Sequence, residues 1–103
     1  MIGRRIDHPD STGLEGVEPG DYWQEANGHW WVCGPVPRDE DGALYLVADV
    51  TTWTVTEHED RTITVSPSIF WGSGGYPDYV PPGWAAKHTW HGFLERGVWR
   101  SVI

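Results

Sequence analysis

The sequence predicts an all-β domain, a small antiparallel sandwich or barrel of about six or seven short strands with little helix. Three observations favour this fold class. Apolar and polar residues alternate with the two-residue period of a strand. Glycine and proline supply 21 of the 103 residues, which favours many turns. The segments between those turns are rich in β-branched and aromatic residues, including many of the eight tryptophans.

Residues 1–20 contain much glycine, proline, aspartate and glutamate but few large apolar groups. This composition predicts an irregular N-terminal arm, followed by a single all-β domain over residues 21–103. The first residues lack the apolar run of a signal peptide, and no stretch is apolar enough to span a membrane. The single cysteine, Cys33, cannot form an internal disulfide, which fits a reducing compartment. We therefore expect a cytoplasmic protein without membrane contact.

A first hairpin is predicted from residues 21–25 and 29–33. Asn27-Gly28 between them is the signature of a type I′ turn, which needs positive φ at both central positions. Trp23 and two of Trp30, Trp31 and Val32 are expected to pack inward or across the sheet. The apolar run at residues 43–50 predicts a buried central strand, with one short helix as the alternative that periodicity leaves open.

The clearest pattern is a second hairpin within residues 52–70. Threonines alternate there with large apolar residues on both sides of a charged tip at residues 57–61. The positions expected to face the core are Trp53, Val55, Ile63 and Val65. Ser66-Pro67 is expected to end the strand pairing, because proline has no N–H to donate.

The rest of the chain predicts a linker at residues 72–75, an extended proline-rich segment at 76–83 and one helical turn at 84–88. A third hairpin is expected from residues 90–95 and 98–103, with Gly97 supplying the unusual φ of its turn. Trp99 alternates with polar residues in that hairpin and is expected in the core.

The net charge of −8 is unevenly distributed. Residues 1–61 hold 13 acidic and four basic residues, giving −9, whereas residues 62–103 hold two and three, giving +1. Ordinary nucleic-acid binding depends on lysines and arginines that neutralise phosphates, so this charge argues against it. Solubility alone explains an acidic surface; the alternatives are a basic protein partner or mimicry of nucleic acid.

Aromatic residues in the glycine- and proline-rich C-terminal part are candidates for a binding surface. Side chains of this type commonly anchor a partner when they lie on loops beside a sheet. The alternative is that they cover the core. The predicted surface comprises Tyr76, Tyr79, Trp84, Trp90 and His91. A carbohydrate-binding module that uses exposed tryptophans is a further alternative.

A metal site is the second candidate. His88 and His91 are three residues apart, and Cys33 is the only thiolate that could join them on zinc. Such a site would need a fourth ligand or a water. The sequence shows neither a recognisable nucleophile with its base and supporting acid nor a phosphate-binding loop. It therefore favours a non-enzymatic protein without a cofactor, and the alternative is a zinc-binding or hydrolytic domain using Cys33, His88 and His91.

Several segments resemble an uncharacterised small domain family. They are Trp-Thr-Val at residues 53–55, ITVSPSI at 63–69, WHGFLERGVWR at 90–100 and EPGDYW at 18–23. Members of this family occur in bacteria, some beside ubiquitin-like conjugation genes, and in phages of actinobacteria; some are labelled ammonia monooxygenases. The chain is most similar to the phage branch.

The resemblance also bears on metal and function. Bacterial members have a cysteine-rich segment before the central hairpin and a Cys-x-x-His near the end. Cys33 and His91 match positions in those segments, but the other cysteines are absent here. The resemblance thus implies a branch without the metal. It implies a bacteriophage accessory protein, located in the host cytoplasm, that acts by binding a protein, with a host protein as the candidate partner.

Overall fold

The structure is a computed structural model, and it describes residues 1–7, 16–38, 41–42, 44, 47–71 and 90–102. These residues form eight strands in two four-stranded sheets and contain no helix, which confirms the all-β prediction. The first sheet has the order β1-β2-β3-β4, with β1 at Arg4–Arg5, β2 at Asp21–Gln24, β3 at Trp30–Cys33 and β4 at Val47–Asp49. The second has the order β5-β6-β7-β8, with β5 at Thr54–Glu57, β6 at Ile63–Trp71, β7 at Trp90–Glu95 and β8 at Val98–Ser101.

The main core lies between the two sheets, in a sandwich-like arrangement. Buried residues of both sheets form one cluster: Tyr22, Trp30, Val32, Val50, Ile63, Val65, Ile69, Trp90, Leu94 and Trp99. Trp53 and Val55 are half-buried against it. The inward positions predicted for the central hairpin are therefore confirmed. A second, smaller cluster forms around Val17, Trp23 and Cys33.

The β2–β3 hairpin is present, but its turn differs from the predicted type I′. Gly28 has φ +90°, whereas Asn27 does not have positive φ. The Gly28 N–H donates to the Glu25 carbonyl at 2.8 Å, and the Glu25 N–H donates to the His29 carbonyl at 2.8 Å. This is a three-residue loop in which glycine takes the left-handed position after the turn. The extra loop residue removes the need for positive φ at Asn27.

The β5–β6 loop repeats this arrangement with an arginine where the first loop has glycine. The Arg61 N–H donates to the His58 carbonyl at 2.9 Å, and Arg61 has φ 72°. The β7–β8 turn is different, since only Arg96 and Gly97 separate the strands and both have positive φ, 47° and 75°. That pair is a type I′ turn, so the third predicted hairpin is confirmed.

The prediction that Ser66-Pro67 ends the strand pairing is confirmed for the β5–β6 ladder, but the strand itself continues. β6 continues to Trp71, and the Ser66–Pro67 peptide bond is cis. Pairing with β5 does end at Ser66, and pairing with β7 shifts register between Val65 and Ile69. Proline is tolerated at such an irregularity because no ladder hydrogen bond is required from its nitrogen. The proline rule located the end of the β5–β6 ladder but missed that β6 continues and pairs with β7.

The apolar run at residues 43–50 also differs from the prediction of a buried central strand. Val47–Asp49 of this run forms β4, which is half-buried and, among the described residues, pairs only with β3, whereas Val50 after it is buried in the main core. An edge strand has one neighbour only, so complete burial is not required of it. The short-helix alternative is excluded for Val47–Asp49.

The N-terminal segment joins the two sheets, although residues 1–20 were predicted to be irregular. Ile2 bridges to Val98, and the Gly3 N–H donates to the Gly97 carbonyl at 2.7 Å. Arg4–Arg5 then forms β1, parallel to β2. The segment therefore pairs first with the second sheet and then with the first. The predicted linker at 72–75, extended segment at 76–83 and helical turn at 84–88 lie outside the described residues.

Candidate functional site

The outer face of the second sheet carries most of the exposed apolar side chains of the described residues. Strand alternation turns Trp90, Gly92 and Leu94 inward, where they are buried, and His91 and Phe93 outward. Five large hydrophobic residues are exposed among the described residues. Four of them lie on this face, Ile2, Phe70, Val98 and Val102, and the fifth is Met1. Register pairs Phe70 with His91 and Ile2 with Val98, so the side chains of each pair are neighbours. We call this set the outer-face patch: Ile2, Phe70, His91, Phe93, Val98 and Val102.

His91 is held in place within the patch. Its Nε2 lies 2.9 Å from Ser68 Oγ, and its ring meets Phe70 edge to face, with centroids 5.5 Å apart. A serine–histidine contact at this distance is one element of a nucleophilic site. The described residues place no carboxylate in hydrogen-bonding contact with the other ring nitrogen. The contact therefore orients the imidazole without completing a catalytic set.

Charged groups border the patch at the β7–β8 ladder. The Arg100 guanidinium carbon lies 5.0 Å from the centre of the Phe93 ring, and Arg100 also forms an ion pair with Glu95. A cation stacked on an aromatic ring remains available to a partner at its open side. The patch thus combines aromatic and aliphatic groups and is bordered by one arginine, a composition typical of protein interfaces.

The predicted binding surface is only partly described. Of its members, His91 belongs to the outer-face patch, whereas Trp90 is 8% exposed and belongs to the main core. Trp90 Nε1 donates to Ser101 Oγ at 2.9 Å, and its ring packs edge to face on Trp99 at 5.5 Å. Adjacent residues of a strand point to opposite faces, so Trp90 and His91 do not share one surface. Tyr76, Tyr79 and Trp84 lie outside the described residues.

Cys33, a member of the predicted metal set, is buried and unsuited to ligation as it stands. Its side chain is 1% exposed and packs with Val17 and Trp23. Burial raises the pKa of the Cys33 thiol to about 11, so the thiolate that zinc requires is disfavoured. Cys33 belongs to the first sheet and His91 to the second. His88 lies outside the described residues, within which no three His, Cys, Asp or Glu side chains form a metal-binding group.

Two open depressions lie near the turns of the second sheet, with volumes of about 510 and 470 Å³. The first is lined by Arg4, Arg5, Ile6, Asp7 and Arg61. The second is lined by Glu57, His58, Glu59, Asp60 and Arg96. Several of these charges are already engaged: Arg4 binds the buried Asp21 at 2.8 Å, and Arg5 binds Glu57 at 2.6 Å. Hydrogen bonds from the Thr62 hydroxyl and N–H lower the pKa of Asp60. The Arg5–Glu57 ion pair thus joins the N-terminal segment to the second sheet, whereas the Arg4–Asp21 ion pair joins it to β2 of the first sheet.

Sequence reasoning missed most of the outer-face patch, including Phe70, Phe93, Val98 and Val102. A usable signal was the two-residue period of β7 and β8. Residues that are buried or turned toward the first sheet alternate there with the outward positions 91, 93, 98, 100 and 102. Ile2 had no such signal, since its position depends on a bridge to a residue 96 positions away.

Comparison of the chain with protein-family models, with curated proteins and with solved structures gave no match. The described residues include no helix with the length and apolarity that a membrane crossing needs.

Proposed function

We propose that the chain is a non-enzymatic protein-binding domain that contacts its partner through the outer-face patch. The observation that carries the proposal is the concentration of exposed apolar groups on one face. Ile2 is 83% exposed, and Phe70, Val98 and Val102 are each more than 40% exposed. Contiguous apolar surface on a small domain typically marks a site of protein association.

The composition of the patch supports a protein partner. Phe70 and Phe93 are large and rigid, and the neighbouring Arg100 is the charged residue most enriched at interfaces. The net charge of −8 adds long-range attraction for a basic partner and opposes contact with nucleic acid. The resemblance of several segments to the phage branch of a small domain family supports a partner in a bacterial host, and we propose on that basis that the chain is a phage accessory protein.

The test begins with affinity capture from a bacterial lysate by the wild-type chain and by a Phe70→Ser/Val102→Ser variant. Both replaced side chains are exposed, so the variant keeps the core intact. A Thr54→Ser/Thr56→Ser variant is the matched control, with two exposed substitutions on the same sheet. Proteins that the wild type and control capture and the patch variant does not are then purified.

Titration calorimetry then measures the affinity of each purified captured protein for the wild-type chain and for the patch variant. We expect the patch variant to lose about 2 kcal/mol or more of binding free energy, the size of an interface hot spot. Equal affinity of the wild type and the patch variant for every captured protein would refute the proposed role of this face.

A further inference from the structure

We propose that the free edge of β5 is a strand-addition site that binds an extended, basic segment of a partner protein. Among the described residues, β5 is an edge strand of the second sheet, with β6 as its only strand neighbour. The edge uses backbone groups and lies apart from the outer-face patch, so the two surfaces are tested separately.

The hydrogen-bonding phase of β5 shows which backbone groups are available. The His58 N–H donates to the Thr62 carbonyl at 2.8 Å, so His58 directs its backbone groups toward β6. Along an antiparallel ladder, residue pairs that exchange backbone hydrogen bonds alternate with pairs that do not. Thr56 therefore also bonds β6, whereas the N–H and C=O groups of Val55 and Glu57 point away from it. Within the described part of the chain, these four groups make no backbone hydrogen bond.

The other sheet edges are shorter or covered. The Trp99 N–H of β8 donates to the Met1 carbonyl at 2.8 Å, and Ile2 bridges to Val98, so the N-terminal segment covers the start of that edge. β1 has two residues and β4 has three, whereas β5 has four. Proteins generally block edges with proline, charged side chains or a bulge, and the one charged side chain of β5, that of Glu57, is bound to Arg5. β5 contains neither proline nor lysine, and its ladder with β6 runs without a bulge over its four pairs.

The chemistry of the edge favours an extended peptide. The free N–H and C=O groups of Val55 lie about 7 Å from those of Glu57, which is the spacing between alternate residues of an extended peptide. Thr54, Thr56 and Glu57 are exposed, so a strand can approach. Main-chain hydrogen bonds would supply affinity in this mode of recognition, and side-chain pockets would supply specificity.

Charge selects a basic segment over a second copy of the chain. Glu59 and Asp60, both exposed, lie in the turn that immediately follows β5. A lysine or arginine at the corresponding end of an added strand would face them. A second copy would bring a further net charge of −8, which opposes association.

The experiment uses the full ¹⁵N-labelled chain and the synthetic peptide acetyl-Lys-Thr-Val-Thr-Lys-amide. In the free protein, the amides of Val55 and Glu57 should exchange rapidly with solvent, while that of Thr56 is protected. At saturating peptide, exchange at Val55 and Glu57 should slow roughly tenfold or more, because a local hydrogen bond must then open first. Binding should weaken as salt is added.

A pair of variants separates the backbone effect from the side-chain effect. Glu57→Pro and Glu57→Ala both lose the ion pair with Arg5, but only proline removes the outward N–H, and neither change removes a β6 hydrogen bond. We expect the alanine variant to bind the peptide and the proline variant not to. An N-methylated peptide, added to the unchanged protein, should also fail to bind and needs no variant to fold. Phe70→Ser should bind the peptide like the wild type, so failure of the patch proposal and failure of this one are distinguishable.

Several results would overturn the inference. They are protection of the Val55 and Glu57 amides in the free chain, no binding of the peptide at about 10 mM, and equal binding by the proline and alanine variants. Equal binding of acetyl-Glu-Thr-Val-Thr-Glu-amide would overturn the assignment of a basic partner.

Discussion

Trp90 and His91 are neighbours in β7, yet one lies 8% exposed in the main core and the other lies on the outer face beside Phe70. A single peptide bond therefore separates a packing residue from a candidate binding residue. The two should respond differently to substitution, which provides a direct check on the placement of the strand.

Trp90→Phe should lower the free energy of unfolding by about 1–2 kcal/mol, because it removes the hydrogen bond to Ser101 and leaves unfilled volume next to Trp99. His91→Ala removes one contact to Ser68 at the surface and should cost about 1 kcal/mol or less. Urea unfolding measures both. If partner binding is lost in the folded Trp90 variant and kept in the His91 variant, the two residues have been placed on the wrong faces.

The difference between these residues also shows what sequence can predict. Alternation correctly identified Ile63, Val65 and Trp99 as inward, because one side of each strand must be buried for a chain of this size to fold. The same alternation, applied to Trp90 and His91, excludes a shared surface. The prediction that placed both residues on one binding surface used aromatic composition and proximity to glycine and proline. It ignored the two-residue period of the strand.

Contacts distant in sequence had no local signal. Ile2 reaches Val98 across most of the chain, and the Arg5 guanidinium reaches Glu57 across about half of it. Their positions depend on how the two sheets pack, which single-sequence patterns do not encode. The N-terminal segment was therefore predicted to be irregular from its composition, although part of it pairs with both sheets. The prediction of a type I′ turn between β2 and β3 failed for a different reason. Loop length decides whether Asn27 needs positive φ, and the ends of the strands set that length.

The N-terminal segment should be sensitive to any side chain at Gly3. A Cβ there would lie 2.8 Å from the Gly20 carbonyl oxygen and 2.9 Å from both the Gly97 carbonyl oxygen and Trp99 Nε1. Two of these are backbone atoms held by hydrogen bonds, so they cannot simply rotate away. We expect Gly3→Ala to lower the free energy of unfolding by about 2–3 kcal/mol, measured with urea.

Ile2→Ala is the control for Gly3→Ala, because it alters the same segment at a side chain that is 83% exposed. It should cost well under 1 kcal/mol. Equal losses in the two variants would mean that the close approach at Gly3 does not occur in solution.

The β7–β8 turn should become more stable when Arg96 is replaced by asparagine. Arg96 has φ 47° in a turn where both central residues are left-handed, and asparagine adopts that region at lower cost than arginine. The Arg96 backbone N–H, which donates to Thr64 Oγ1 at 3.0 Å, is retained. Arg96→Asn should raise the free energy of unfolding by about 0.5–1 kcal/mol in thermal or urea unfolding. Arg96→Ala should not, and a gain of the same size with alanine would show that loss of the charge, not backbone conformation, is responsible.

Stability should decrease as pH rises above about 9. Burial raises the pKa of the Cys33 thiol from 9.0 to about 11, so the unfolded chain loses this proton first. The unfolded state then binds fewer protons than the folded state between these two values, and the free energy of unfolding falls with pH. Burial also raises the pKa of Tyr22 above 10.0, which acts in the same direction at still higher pH. Urea unfolding at pH 8, 9 and 10 checks this, and Cys33→Ala should show a shallower decline.

The Cys33 thiol should be nearly inert in the folded chain. A pKa of about 11 in place of 9.0 reduces the thiolate fraction at pH 8 by about 100-fold, and a side chain that is 1% exposed also blocks approach of a reagent. Alkylation by iodoacetamide at pH 8 should therefore be at least about 100-fold slower in buffer than in concentrated urea. Mass spectrometry of samples quenched over time measures both rates. Labelling of the native chain at the rate of the unfolded chain would show that the cluster around Val17 and Trp23 does not enclose Cys33 in solution, and would return this cysteine to the set of candidate metal ligands.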